Sequence, residues 1–257
     1  MTFALVQKEL VVPELEQLKR AFTVSPLLTG LDAQTAANDA YGILLRGLEG
    51  EQAQALRAAL LHEGVETEMV EEGKLPVIPS AKHARQVEFQ QTHLTLYDSM
   101  RHASEVSWSD IMFIAAGYVR MREASRHRVV SAEPVIHAAG ITHDLTGAAK
   151  PREEDHHHLL LDIFLNGGAA RYSVAADDFV FDHPGARRSG DLAINFVFLV
   201  QDLAEQAPHA GLNRGAFKAC QHPPELFPYP SKAAFHEEIT WMLWRISQLA
   251  STQGAQI

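Results

Sequence analysis

The stretch that most constrains the fold runs from Leu159 to Ala207. Leu159–Leu165 is a short apolar run with a single charge, Asp162. Asn166-Gly167-Gly168 follows and supplies the positive-φ positions that a tight reversal needs. Arg171–His183 then carries the β-branched and aromatic residues Tyr172, Val174, Phe179, Val180 and Phe181, which predicts a second strand. Asp182-His183-Pro184-Gly185 turns the chain again, and Ser189 or Asp191 can cap a helix over 191–207. On that helix Leu192, Phe196, Leu199, Val200 and Leu203 recur at helical spacing. Two strands and an apolar helix in this order predict a sheet with a helix closing over it.

The first 72 residues follow a different pattern. Phe3, Leu5 and Val12 predict a strand that Pro13 ends, and Leu15, Leu18 and Phe22 mark a helix. Asp32 can cap a second short helix. Tyr41–Leu45 reads as a buried strand, Glu49–His62 as a helix with Ala53, Leu56, Ala59 and Leu60 inward, and Val65–Val70 as an alternating, half-exposed strand. This order predicts an α/β layer with helices on one face. Strand, helix and strand from Tyr41 to Val70, with Ala53 and Leu60 on the helix and Gly64-Val65-Glu66-Thr67-Glu68 after it, resemble half of a ferredoxin-like domain of the ACT and signal-transducing kind.

Pro76 and Pro79 place a linker at 73–84. Beyond it the periodicity turns to strands: Val87 and Phe89, then Leu94, Leu96 and Tyr97, then a run from Glu105 through Trp108-Ser109-Asp110-Ile111 to Ile114, and Tyr118–Met121. Consecutive strands, a Trp-x-Asp-Ile stretch and a closing helix resemble the pleckstrin-homology-like barrel of bacterial proteins. That resemblance implies an antiparallel barrel over 85–219, with 122–157 as an insertion. After it, 220–257 is an extension. Four prolines over 221–230 keep the chain extended, and Ser231 can cap a last helix over 231–249. Phe235, Ile239, Met242, Leu243, Ile246 and Leu249 form its stripe. The expected dock is Ile194, Val197 and Phe198 of the preceding helix, with Trp241 and Trp244 on the rim for a second copy, a possible homodimer. The fold class expected is α+β. The whole order also resembles a two-domain bacterial family of uncharacterised function, which implies no site residue.

Composition narrows the function classes. A net charge of −10 argues against nucleic acid as the main partner. The first 80 residues alone carry 12 acids against 6 bases. A single cysteine, Cys220, excludes an internal disulfide and a Cys-rich zinc site, and fits a reducing, cytoplasmic setting. No basic, apolar leader opens the chain, and no run nears the roughly 18 apolar residues of a membrane span.

Two groups of residues could carry chemistry. His156-His157-His158 opens the apolar run, and in a strand His156 and His158 share a face, so they could bind zinc or a similar ion with His183, His137 or His143. A solvated strand entrance gives the same pattern. Arg120, Arg122, Arg126 and Arg128 could hold a small anionic ligand. The nucleotide-binding, serine-hydrolase and zinc-protease signatures are absent from the sequence. The expected function is therefore non-catalytic: a binding or regulatory protein for an anion or a protein, with no cofactor. The alternative is a metal-dependent enzyme centred on His137, His143, His156, His158 and His183.

Overall fold

The computed structural model describes residues 1–39, 41–125, 152–183 and 185–254. The first unit is built from β1 (Phe3–Gln7), α1 (Leu15–Phe22), α2 (Gly30–Asp39), β2 (Ile43–Leu48), α3 (Gly50–His62) and β3 (Thr67–Glu71). Its sheet has the order β2-β1-β3, with β1 antiparallel to both neighbours. Strands β2 and β3 therefore run parallel to each other on either side of β1, and β2-α3-β3 is a split crossover. The helix starts are set locally. Glu14 and Gln17 form a reciprocal capping box at α1, and Asp32 accepts from the backbone and hydroxyl of Thr29 at α2. All three helices cover one face, where Leu18, Phe22, Ala33, Leu56 and Leu60 pack on Leu5, Leu44 and Leu48.

The second unit holds a three-stranded meander and a larger sheet. Strand β4 (Ala81–His83) leads into β5 (Gln86–Phe89), β6 (His93–Tyr97) and β7 (Ala103–Ser107), of which β5, β6 and β7 pair antiparallel. Strands β8 (Ile111–Ser125), β9 (Arg152–Leu165) and β10 (Arg171–Ala175) form a second antiparallel set, and β4 joins its edge parallel to β10. Helix α4 (Leu192–Gln206) lies over the core that these two sheets share. Asp191 caps it by accepting from the Ala193 amide at 2.8 Å. Phe196, Leu199, Val200 and Leu203 are buried as the spacing predicts, while Leu192 is exposed. Short strands β11 (Gly211–Leu212) and β12 (Pro228–Tyr229) pair with β8 on either side of the helix α5 (Arg214–Ala219) in sequence.

The mixed α+β class stands, but among the described residues no sheet closes into a barrel. Three local expectations are corrected. The Trp-x-Asp-Ile stretch is not strand: Trp108–Asp110 is a 3-10 turn between β7 and β8, held by the Trp108 indole donating to the Gln90 carbonyl at 3.0 Å. The strand expected over 171–183 ends at Ala175, where Ala176–Asp178 turns. The expected insertion over 122–157 is shorter, because β8 and β9 continue as a two-stranded ribbon with Arg122 opposite Asp155 and Ser125 opposite Arg152.

The last helix, α6 (Lys232–Gly254), docks within its own chain but not where the sequence suggests. Phe235, Ile239 and Leu243 pack on Phe113, Ala115, Val119 and Phe164 of β8 and β9, not on α4. Ile194 stays exposed, and Phe198 lies under the Arg187 guanidinium. The tryptophans are not left for a second copy either. Trp241 and Trp244 pack on Ala4, Val6, Ile43 and Val70, the face of the first sheet opposite its own helices. The Trp241 indole donates to the Gln7 carbonyl at 2.7 Å, and Arg46 pairs with Glu237 at 2.8 Å. Gly42 makes room for this contact. It has φ +92°, and a Cβ there would lie 2.4 Å from Trp241 Cγ. Gly42→Ala should therefore destabilise by more than about 1 kcal/mol, from backbone strain and from the displaced indole together. Leu199→Ala, at a fully buried position on the inner face of α4, should cost about 2–5 kcal/mol. Urea titrations check both; an unchanged midpoint for either would contradict the packing.

Candidate functional site

Arg120 lies near the point where the β8–β9 ribbon leaves the sheet, and its residue is exposed. It does not stand there alone. Asn38 and Asp39 at the end of α2, Met121 beside it on β8, and Pro230, Ser231 and Lys232 at the start of α6 line the same recess, of about 520 Å³. Three distant segments meet because α6 is fixed between the two sheets, which brings its first turn against both α2 and β8. Ser231 performs two tasks at this corner. Its hydroxyl donates to the Asp39 carboxylate and accepts from the Ala234 amide at 3.0 Å, so it caps α6 and ties it to α2. The lining residues thus include two basic ones, Arg120 and Lys232, one acidic one, Asp39, and Asn38; along β8 Arg120 alternates with Met121 and falls on the face that Tyr118 and His157 share.

Of the other expected arginines, Arg122 is two residues along β8, opposite Asp155; Arg126 and Arg128 lie outside the described residues, as do His137 and His143. The histidines of the proposed metal set are not gathered. His156 and His158 alternate along β9 opposite Met121 and Val119, on the α6 side of the sheet. His158 Nδ1 lies 2.7 Å from Asp177 Oδ2. His157 faces the other way and stacks on Tyr118, with ring centres 4.7 Å apart. His183 is on that other side too, in the core beneath α4, stacked on Phe89 at 5.4 Å and close to Phe181. Among the described residues no three His, Cys, Asp or Glu side chains are placed to hold a metal ion.

Sequence reading missed two buried polar groups. In the first, the Arg214 guanidinium donates twice to Glu238 Oε2, at 3.1 Å each, and its backbone amide donates to Oε1 at 2.9 Å. The Tyr229 hydroxyl donates to the same carboxylate at 2.9 Å, and Asn213 donates to Tyr229 and to the Ala116 carbonyl. Tyr41 and Phe227 sandwich the guanidinium at 4.7 and 4.8 Å. Burial, reinforced by Glu238, pushes the Tyr229 hydroxyl well above its ordinary pKa, so it stays a donor. Every arm of this group binds another part of the chain, which marks it as a structural latch. In the second, Asp162 pairs with Arg171 at 3.3 Å between β9 and β10. Burial raises the pKa of Asp162 against the pull of Arg171. A charged residue inside an apolar run was the signal for Asp162; nothing local marked Glu238, Asn38, Asp39 or Lys232.

Comparison of the chain with family models, curated proteins and solved structures finds no match. Among the described residues no helix is long and apolar enough to cross a membrane.

His183, in the core beneath α4 and away from the recess, gives the fold a pH signature. Its ring is buried and neither nitrogen has a hydrogen-bond partner. Asp202 is 3.8 Å away, but Arg187 already claims that carboxylate at 2.6 Å. Burial therefore wins over the attraction of Asp202, and the pKa falls to about 4. An unfolded histidine titrates near 6.5. Between these values the unfolded chain binds a proton that the folded chain refuses, so stability is lost as pH falls from about 6.5 towards 4. His236, at the start of α6, is lowered to about 4 in the same way, by burial and then by Lys232 and Arg171. In His183→Phe, urea midpoints measured from pH 7 to pH 4.5 should fall less steeply than in the wild type. A constant gap between the two proteins across that range would show that protonation of His183 costs nothing.

Proposed function

We propose that the protein is a non-catalytic binding or regulatory module that holds a small anionic ligand in the recess between α2, the β8–β9 ribbon and the start of α6. The observation that carries this reading is that Arg120 and Lys232 both line one recess. The chain as a whole is strongly negative, at −10, so long-range attraction works against an anion. With a Debye length of about 8 Å at physiological salt, the adjacent cations decide, and a small ligand held by direct contacts fits better than an extended polyanion. Three further features support a binding role. The buried polar groups are spent on structure. The recess is formed by elements of both units, so occupancy bears on how they are held together. Asn38 and Arg120 offer planar, directional contacts of the kind that select an anion.

The finer fold reading belongs with this proposal. The split β2-α3-β3 crossover supports a ferredoxin-like half, and two antiparallel sheets sharing a core under α4 support an opened relative of the pleckstrin-homology-like barrel.

Calorimetry with citrate and inorganic phosphate tests the reading. Arg120→Ala and Lys232→Ala should each weaken binding about tenfold or more, the value of one charge-assisted contact, with unchanged circular dichroism. Binding equal in wild type and both variants would place the ligand elsewhere.

A further inference from the structure

Between the end of β10 at Ala175 and the start of α4 at Leu192 the chain crosses the core without forming a strand. Both ends of this run are pinned. At one end Val180 donates its amide to the Arg85 carbonyl at 2.7 Å, and Phe179 and Phe181 are buried. At the other the buried Asn195 side chain accepts from the Ser189 amide and donates to the Ser189 carbonyl, both at 2.8 Å. The stretch between, 182–188, is tied down far less. Its described backbone hydrogen bonds are local, from Asp182 to Val180, Gly185 to Asp182 and Arg188 to Gly185. Asp182 and 185–188 are exposed, and the Arg188–Asp182 pair lies in solvent, so it contributes little. Among the described residues two side chains tie the stretch to the body of the protein. Arg187 pairs with Asp202 at 2.6 Å and lies over the Phe198 ring. His183 is 1 % exposed and stacks on Phe89.

The slot that holds His183 suits a neutral ring. Phe89 and Phe181 flank it, and neither ring nitrogen has a hydrogen-bond partner. The charged groups around it are Asp202 of α4, Arg187 of the stretch itself and Asp182, its neighbour in sequence; β5 and the preceding segment present the rings of Phe89 and Phe181. Asp202 is the carboxylate an imidazolium would need, but it stands 3.8 Å off and Arg187 holds it, while Asp182 turns to Arg188 at 3.1 Å. A protonated ring has no free carboxylate inside the slot and ample water outside it. Opening a stretch tied by so few groups costs far less than unfolding the domain. We propose that 182–188 is an acid-opened strap: protonation drives the His183 ring out of its slot, the strap swings on its pinned ends at Val180 and Ser189, and Phe89 and Phe181 are uncovered while α4 and the sheets stay in place. The strap is independent of the anion-binding reading above.

The test is amide hydrogen exchange of the full-length protein by mass spectrometry at pH 7 and pH 5, corrected for the intrinsic exchange rate. With the ring titrating at about 4 when seated and about 6.5 when free, the opening constant should rise about twentyfold between the two. Exchange over 182–188 should speed up by that factor at pH 5. It should hardly respond to urea below the unfolding transition, since a strap exposes little surface. Peptides from α4 and β9 should stay far better protected at both pH values. His183→Phe keeps a flat ring in the slot without the titration, so its exchange over 182–188 should be the same at pH 7 and pH 5. Arg187→Gln, at an exposed position, frees Asp202 for the imidazolium and should shrink the pH effect severalfold. Wild-type exchange over 182–188 that ignores pH, or that is as slow and urea-sensitive as that of α4 and β9, would overturn the strap. An undiminished pH effect in His183→Phe would overturn the anchor, and one in Arg187→Gln would overturn the part given to Asp202. The wild-type comparison decides the matter even if His183→Phe does not fold.

Discussion

The structure depends on α6 being apolar on two sides. One side, Phe235, Ile239 and Leu243, lies on the β8–β9 sheet; the other, Trp241 and Trp244, lies on the first sheet. Each fully buried side chain of this size is worth about 1.5–3 kcal/mol of transfer free energy. The helix therefore gains from both contacts, while the cost of ordering it arises once. Among the described residues no strand of the first sheet packs extensively on a strand of the β8–β9 sheet. Directional contacts fix its rotation: the Trp241 indole on the Gln7 carbonyl, Arg46 on Glu237, and Arg245 on Glu68 at 3.3 Å.

Apolar packing alone would let such a helix slide. The group around Glu238 prevents it. A carboxylate with no exposure to solvent must find partners, because an unpaired charge in the interior costs several kcal/mol. Here the partners come from α5, β12 and the α5 backbone, and Asn213 carries the network on to the backbone of β8. Gly215 lets α5 come this close, since a Cβ there would sit 1.8 Å from the Ala116 carbonyl oxygen. Shifting α6 by one residue would strand Glu238 among apolar groups. The network thus converts a hydrophobic dock into a single register, and that register sets Ser231 and Lys232 against Asp39.

Legibility in the sequence followed the distance over which each feature is decided. Helix starts at Asp191 and Ser231 rest on contacts a few residues long, and these were readable; the capping role of Glu14 was not named, and Asp32 sits in the first turn of α2, accepting from Thr29, rather than at its cap. The apolar faces of α4 and α6 were readable for the same reason, but the partner of α6 was not. Glu66 and Glu68 made one face of β3 look solvent-facing, yet Glu68 receives the Trp244 indole and Arg245, and Val70 on that face is buried under α6. A polar face that meets an indole nitrogen and a guanidinium looks, in sequence, like one that meets water. Arg120 was named from its own charge. Asn38, Asp39 and Lys232 were not, because what makes them a site is the convergence of three segments, which no local spacing encodes.

The separation in sequence between the first sheet, which ends at Glu71, and α6, which starts at Lys232, has a consequence for synthesis. The first sheet and its three helices leave the ribosome early, complete on the face that α1, α2 and α3 cover. Their other face, Ala4, Val6, Ile43 and Val70, waits for tryptophans that follow Lys232. At about 5–20 residues per second, translation takes on the order of ten seconds or more to supply them. Throughout that interval the nascent chain presents an apolar surface with the shape of its own last helix. The growing chain is then a substrate for any chaperone that reads such surfaces, and its release is timed by the arrival of residues 232–254.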